Sequence, residues 1–189
     1  MTGVILAGGK NTRMGTNKAL LKIGDTRLID HVVDTLKAIF TEVIIVASNP
    51  LEYMDLDTTI VTDIFPGRGA LGGLYTGLFF ARDSYAFVAA CDMPFLDGTF
   101  IAYMMENAKG HDIVVPAPPD GLQPLCAVYS RACLPAIKNL LAKNRLQIKG
   151  FYPRHKVLEI GPAILERFDP EGKMFTNINA PEDWENLQK

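Results

Sequence analysis

The chain has 189 residues, 48% of them apolar, 21% charged and 9% aromatic, the composition of one ordinary globular domain rather than of a disordered or collagen-like chain. Nineteen Lys and Arg stand against 21 Asp and Glu, a formal net charge of -2, so no basic excess recommends nucleic acid or a membrane surface as partner, and an anion has to be met by a local cluster of donors. The longest apolar runs, Ala86-Phe-Val-Ala-Ala-Cys91 and Val43-Ile-Ile-Val-Ala47, fall far short of the roughly 20 residues of a spanning helix, and with no secretory signal pattern at the start the expectation is a soluble, cytoplasmic protein.

Short β-branched runs alternate with helix-length segments, which predicts the α/β class, with helices on both faces of a mostly parallel sheet and a single domain over residues 1–189. Residues 3–7 read as the first strand. Leu28, Ile29, Val32, Val33, Leu36 and Ile39 recur with the helical period and predict a helix over 28–40. Strands at 42–47 and 59–62 follow, then a helix at 71–81 entered through glycines, a buried strand at 85–91, a helix at 98–108 and a strand at 112–116. Pro116-Ala-Pro-Pro-Asp-Gly121 marks a loop beside a ligand or at a sheet edge, because its prolines cannot sit in a central strand. A strand at 126–130, a helix at 132–142, a strand at 156–160 and a terminal helix at 181–187 complete the chain. Cys91, Cys126 and Cys133 match no zinc spacing and read as reduced, buried thiols.

The most informative segment is Leu6-Ala-Gly-Gly-Lys-Asn-Thr-Arg-Met-Gly15, followed by Thr16-Asn-Lys18. Two glycines at a strand end let the backbone turn sharply and bring its N–H groups to a phosphate, while Arg13 and Lys18 supply charge. The spelling excludes two familiar phosphate loops. Gly9 and Gly15 do not make G-x-x-x-x-G-K-[ST], and adjacent Gly8 and Gly9 do not make G-x-G-x-x-G. Asp92 stands at the carboxyl end of a buried strand, where doubly wound folds place their ligands, and a single well-placed Asp suffices for Mg²⁺ that also takes phosphate oxygens. Its alternative is a cap ahead of Asp97 and Gly98.

The full string L-A-G-G-x-x-x-R-M-G-x-x-K, filled by Leu6, Ala7, Gly8, Gly9, Arg13, Met14, Gly15 and Lys18, resembles the opening motif of the molybdenum cofactor guanylyltransferases, the MobA family. The resemblance continues through Val61-Thr-Asp63, Pro66-Gly-Arg-Gly-Ala-Leu-Gly-Gly-Leu74, Cys91-Asp92-Met-Pro94, Gln123-Pro124 and Asn177-Ile-Asn179-Ala-Pro181. It implies a three-layer α/β/α Rossmann-like nucleotidyltransferase fold with a mostly parallel central sheet. It also implies transfer of GMP from GTP to the molybdenum cofactor (molybdopterin), giving the guanine dinucleotide and pyrophosphate. Cofactor-synthesis proteins and the molybdoenzyme apoprotein are the further partners it implies.

On that resemblance Leu6, Ala7, Gly8, Gly9, Arg13, Lys18, Asp63, Gly72 and Asp92 bind the nucleotide, Asp92 holds Mg²⁺, and Arg13, Lys18 and Asp92 carry catalysis. Asn177 and Asn179 face the pterin. Asp63 has a competing reading as a turn residue before Phe65-Pro66, Gly72 and Gly73 as points of close helix–sheet packing, and Asn179 as a helix N-cap. Arg145 and Lys149 are offered to the pterin phosphate on charge alone. The second strand ends Val46-Ala47-Ser48-Asn49, where some members place a base-contacting Asn at the position of Ala47, and the contact at this strand end stays unassigned. His31, His111 and His155 fit no triad pattern. A cytidylyltransferase, a sugar or polyol-phosphate nucleotidylyltransferase and a non-catalytic carrier are the competing functions.

Overall fold

A computed structural model describes residues 1–8, 17–178 and 183. The predicted terminal helix lies outside the described residues except at Asp183. Seven strands form the central sheet: β1 (Thr2–Leu6), β4 (Val43–Ala47), β5 (Thr59–Thr62), β6 (Tyr85–Ala90), β7 (Ile113–Pro116), β8 (Cys126–Ser130) and β9 (Val157–Ile160). Their spatial order is β5-β4-β1-β6-β8-β7-β9. The hairpin of β2 (Lys22–Ile23) and β3 (Thr26–Arg27) stands apart from it.

The sheet is parallel except at β8, which runs antiparallel to both β6 and β7. The cause is the connection: segment 117–125 contains no helix to carry the chain back across the sheet, so β8 has to start at the edge where β7 ends. The carboxyl ends of the other six strands therefore share one edge with the start of β8.

Strand residues alternate between two apolar layers. On one face Ile5, Ile45, Phe87, Val114 and Val128 pack against α1 (Leu28–Lys37), α3 (Gly98–Glu106) and α5 (Pro162–Phe168). On the other, Val4, Leu6, Ile44, Val46 and Val88 meet α2 (Gly69–Phe80), α4 (Leu134–Ala142) and the 3₁₀ segment Ile148–Arg154. Helix α1 stops at Lys37, short of the predicted residue 40, because Ile39 and Phe40 both donate to the Leu36 carbonyl and close the helix in a tighter turn. Helix α5 and the small hairpin are additions to the sequence reading.

Helix α2 starts at Gly69 rather than Leu71, after a turn in which Gly67 and Gly69 adopt φ of 76° and 60°, values that favour glycine. It lies very close to the sheet: a Cβ at Gly77 would stand 2.4 Å from Val4 Cγ1, and one at Gly73 3.3 Å from Leu6 Cδ2. Gly77→Ala gains about 1 kcal/mol of helix propensity but drives a methyl into a buried β-branched side chain that has little rotamer freedom, an overpacking cost of about 1–3 kcal/mol or more. The variant is expected to be less stable by about 1–2 kcal/mol in urea unfolding; equal or higher stability would show that helix and sheet can separate without loss.

Candidate functional site

At the shared edge a cavity of about 140 Å³ is lined by the end of β1 (Leu6, Ala7, Gly8), by Asn17, Lys18 and Ala19, by Ala70 of α2, by Ala90, Cys91 and Asp92 after β6, and by Leu125 before β8. Backbone bonds hold its floor. Ala7 N–H donates to the Val46 carbonyl at 2.9 Å, Cys91 N–H to Leu6 at 3.3 Å and Ala90 N–H to Leu125 at 2.9 Å. The structure thus brings Leu6, Ala7, Gly8, Lys18 and Asp92, five of the residues expected at the nucleotide, to one point.

Asp92 is partly withdrawn from water, and this desolvation holds its carboxyl above the ordinary value while its own backbone N–H and the charge of Lys18 pull the other way. A desolvated carboxylate is favoured by positive charge close by, and a single carboxylate at a cavity suits a hard divalent cation that takes its remaining ligands from non-protein oxygens. Among the described residues no cluster of three or more His, Cys, Asp or Glu could hold a metal without such help. Cys91, beside it, is pushed up to about 12 by burial and by the Asp92 charge, so it is a neutral thiol at neutral pH and no nucleophile.

Lys18 opens the 3₁₀ helix Lys18–Leu20, whose N-cap Asn17 accepts from Ala19 N–H at 3.2 Å. Ala19 is fully buried and anchors this turn in the core. The Asn17 amide also donates to the Tyr53 hydroxyl at 2.7 Å and to the Glu52 carboxylate. Tyr53 donates onward to the Ala7 carbonyl at 3.2 Å, and burial pushes its phenol up to about 12, so it keeps its proton at neutral pH. Neither Tyr53 nor Glu52 stood out in the sequence. Both lie in the short helix Pro50–Tyr53, and no local spacing links them to a segment more than thirty residues earlier.

Asp63 follows edge strand β5, and its N–H donates to the Ala47 carbonyl at 3.1 Å. Its Oδ1 accepts from Phe65 N–H at 2.9 Å and from the Thr76 hydroxyl at 2.9 Å, while Thr76 accepts from Ile64 N–H at 3.0 Å. The turn role foreseen as the alternative for Asp63 is therefore present. Gly72 is placed differently from the expectation of a helix-opening N–H: with α2 beginning at Gly69, the N–H groups without an intrahelical acceptor are those of Gly69, Ala70 and Leu71. Gly72 instead makes room, since a Cβ there would stand 2.8 Å from the Phe65 carbonyl oxygen.

The Asn177 segment reaches the same site, because Ile178 N–H donates to the Asp92 carbonyl at 3.0 Å and fully buried Ile178 packs with Ile23 and Leu28. Asn177 itself is exposed. At the unassigned strand end Ala47 is fully buried, whereas Asn49 is exposed and donates to Glu52 at 3.0 Å. Gly9, Arg13 and Asn179 lie outside the described residues. Arg145 is exposed in the turn after α4, next to Asn144, which accepts from Arg68 ahead of α2; Lys149 is exposed on the following 3₁₀ segment. His111 and His155 each meet a carbonyl four residues earlier. A separate cleft of about 640 Å³ runs between the proline loop and α5, lined among others by Pro118, Asp120, Glu166, Phe175 and Thr176. Among the described residues no helix is long and apolar enough to cross a membrane.

Residues 3–157 match the model of the MobA-like NTP transferase domain. The molybdenum cofactor guanylyltransferase of Desulfosudis oleivorans is 40% identical over 190 aligned positions, covering 100% of this chain and 94% of that protein. Among solved structures, the molybdopterin-guanine dinucleotide biosynthesis protein A of Archaeoglobus fulgidus superposes with a TM-score of 0.84 at 23% identity, covering 98% of this chain and 96% of the other. A protein of Aquifex aeolicus (Aq1419) superposes with a TM-score of 0.78 at 30% identity, covering 95% and 93%.

The Asp63 and Thr76 pairing ties the chain leaving edge strand β5 to α2. Thr76→Val keeps the shape but leaves Ile64 N–H and one Asp63 lone pair without their partner, a cost of about 1–3 kcal/mol. A fall in the urea midpoint of that size with an unchanged m-value is expected; an unaltered midpoint would show that the pairing contributes nothing to the fold.

Proposed function

This chain belongs to the MobA-like NTP transferase family, and from that premise we propose that it transfers GMP from GTP to the terminal phosphate of the molybdenum cofactor, releasing pyrophosphate. The observation that carries the reading is the convergence of Lys18, the end of β1 and Asp92 on one cavity at the carboxyl edge of the sheet. The name and near-complete coverage of the Desulfosudis relative support the choice of substrates.

Nucleotidyl transfer leaves little covalent work to the protein, which has to hold the attacking and leaving oxygens in line and offset the charge that develops. The attacking phosphate needs no general base near neutral pH, since the second pKa of such a group is about 6. Lys18 faces the triphosphate as a compact charge and Arg13 would receive the leaving pyrophosphate with its planar fork of donors. Leu6, Ala7 and Gly8 bring backbone to the phosphates, Gly9 would add its own, and Asp63 and the start of α2 border the nucleoside.

Asp92 is the residue that would hold Mg²⁺, and its desolvated carboxylate fits that task. When bound there, the ion supplies positive charge to the phosphate oxygens. Asn177 reaches the acceptor side through the Ile178 to Asp92 bond, and Asn179 would join it. The neighbouring cleft with Asp120 and Glu166 suits the N–H donors of a pterin ring rather than its phosphate, since carboxylates accept from amino and ring N–H groups and repel anions.

The test is pyrophosphate release with Mg²⁺, purified molybdenum cofactor, and GTP, CTP or ATP offered separately, with the product identified by mass. Release with GTP and a guanine-dinucleotide product is expected. Release with CTP would overturn the choice of base, and GTP binding without turnover would favour a carrier. Asp92→Asn is expected to lower kcat about a hundredfold or more, and unchanged release at saturating Mg²⁺ would refute the metal assignment. For Lys18→Ala a loss of about 1.5–3 kcal/mol in GTP affinity is expected, the range of one charge-assisted contact, measured by titration calorimetry.

A further inference from the structure

The segment that delivers Lys18 is not a strand of the sheet. Lys18–Leu20 is a single 3₁₀ turn, a length that forms only where surrounding structure fixes it. Two devices fix it. Ala19 plugs into the core, and Asn17, immediately before Lys18, is held on both sides of its amide. Its carbonyl oxygen accepts from Ala19 N–H at 3.2 Å and its NH₂ group donates to Tyr53 and to Glu52. That assignment leaves no ambiguity in the amide orientation, because the Ala19 N–H requires oxygen on its side and the carboxylate requires nitrogen on the other.

Tyr53 is 1% exposed, and its hydroxyl stands between a side-chain amide and a backbone carbonyl that the sequence separates. It accepts from Asn17 at 2.7 Å and donates to the carbonyl of Ala7, the residue after β1, at 3.2 Å. The Glu52 carboxylate, shared between Asn17 and Asn49, braces the same amide from the solvent side.

We propose that Tyr53 is a positioning residue for nucleotide transfer: its hydroxyl, through the Asn17 amide that Glu52 also holds, staples the turn bearing Lys18 to the end of β1 and so fixes Lys18 in the cavity it shares with Asp92. The proposal rests on the reading that this cavity binds the triphosphate. A phenol buried only for packing would need one partner; this one bridges the two chain segments that flank the glycine-rich motif. Tyr53 touches no ligand in this role and acts through Lys18.

The test is a double-mutant cycle on GTP binding with Mg²⁺, followed by calorimetry on the intact chain. Tyr53→Phe keeps the buried ring and removes the staple, and it is expected to weaken GTP about tenfold, the effect of one to two net hydrogen bonds. In a Lys18→Ala background the same change is expected to alter binding by less than about twofold, since the residue it positions is gone. Unchanged binding in Tyr53→Phe, or equal losses with and without Lys18, would overturn the proposal and leave the hydroxyl a purely structural group.

Asn17→Ser gives an independent arm should Tyr53→Phe not fold: Ser still caps the Lys18–Leu20 turn, but it is shorter and has one hydrogen where the amide has two, so it cannot hold Tyr53 and Glu52 together. The same tenfold loss, again absent without Lys18, is expected, and wild-type affinity would count against the staple. If the wild-type chain binds CTP in place of GTP, the choice of base fails, while the cycle run with CTP still decides the role of Tyr53.

Discussion

Covering the central sheet on both faces is the constraint from which the rest of this molecule follows. Every residue of β1, β4, β7 and β8 is buried, and a charged group inside such strands would have to give up its hydration without compensation. Polar chemistry is therefore pushed to the strand ends. Gly8 comes two residues after β1, Asp63 directly after β5 and Asp92 two residues after β6. Because those strands are parallel, residues far apart in sequence arrive at one edge, and Gly8 and Asp92 meet there in the cavity. The reversed strand β8 does not disturb this, since it begins at that edge, and Leu125 just before it lines the cavity.

Burial that stabilises the fold also sets the chemistry of the site. Desolvation works against the charge of Asp92, and Lys18 offsets only part of that cost. On the proposed reading a triphosphate would add further negative charge, which a divalent cation at Asp92 would offset. On the same reading, ligand binding would stabilise the folded state by mass action and would act on two segments that are not strands of the sheet, the Lys18 turn and the stretch that carries Asn177.

The layers of the fold were legible in the sequence because a strand buried on both faces must be a continuous apolar run, as in Val43 to Ala47, and because α1 carries its apolar stripe at helical spacing. Strand direction was not legible, since Cys126 to Ser130 reads the same whichever way it runs; only the short, helix-free connection before it carries that information. The residues at the strand ends were legible through the glycine-rich motif and the lone Asp92. Gly72 shows the limit of such reading. A glycine that lets a phosphate approach and a glycine that lets the Phe65 carbonyl approach are the same letter, and only the position of Gly69 as the helix start separates them.

What the sequence conceals most completely is the support of the site. Residues that meet a ligand are confined to short spellings, because the ligand's own geometry dictates their spacing. Residues that hold them in place answer only to the fold, and the fold can supply them from anywhere. Tyr53 lies 36 residues from Asn17 and 46 from Ala7, and it is the connection leaving β4, the strand paired with β1, that brings it over the β1 end. Its tolerance to change is correspondingly narrow in chemistry and wide in position: another scaffold could place a hydroxyl there from a different element, but the point between Asn17 and the Ala7 carbonyl accepts only a group that donates one hydrogen bond and receives another. Tyrosine meets that demand while filling the core with its ring, so one side chain supports both the packing of β1 and β4 against α1 and the placement of Lys18.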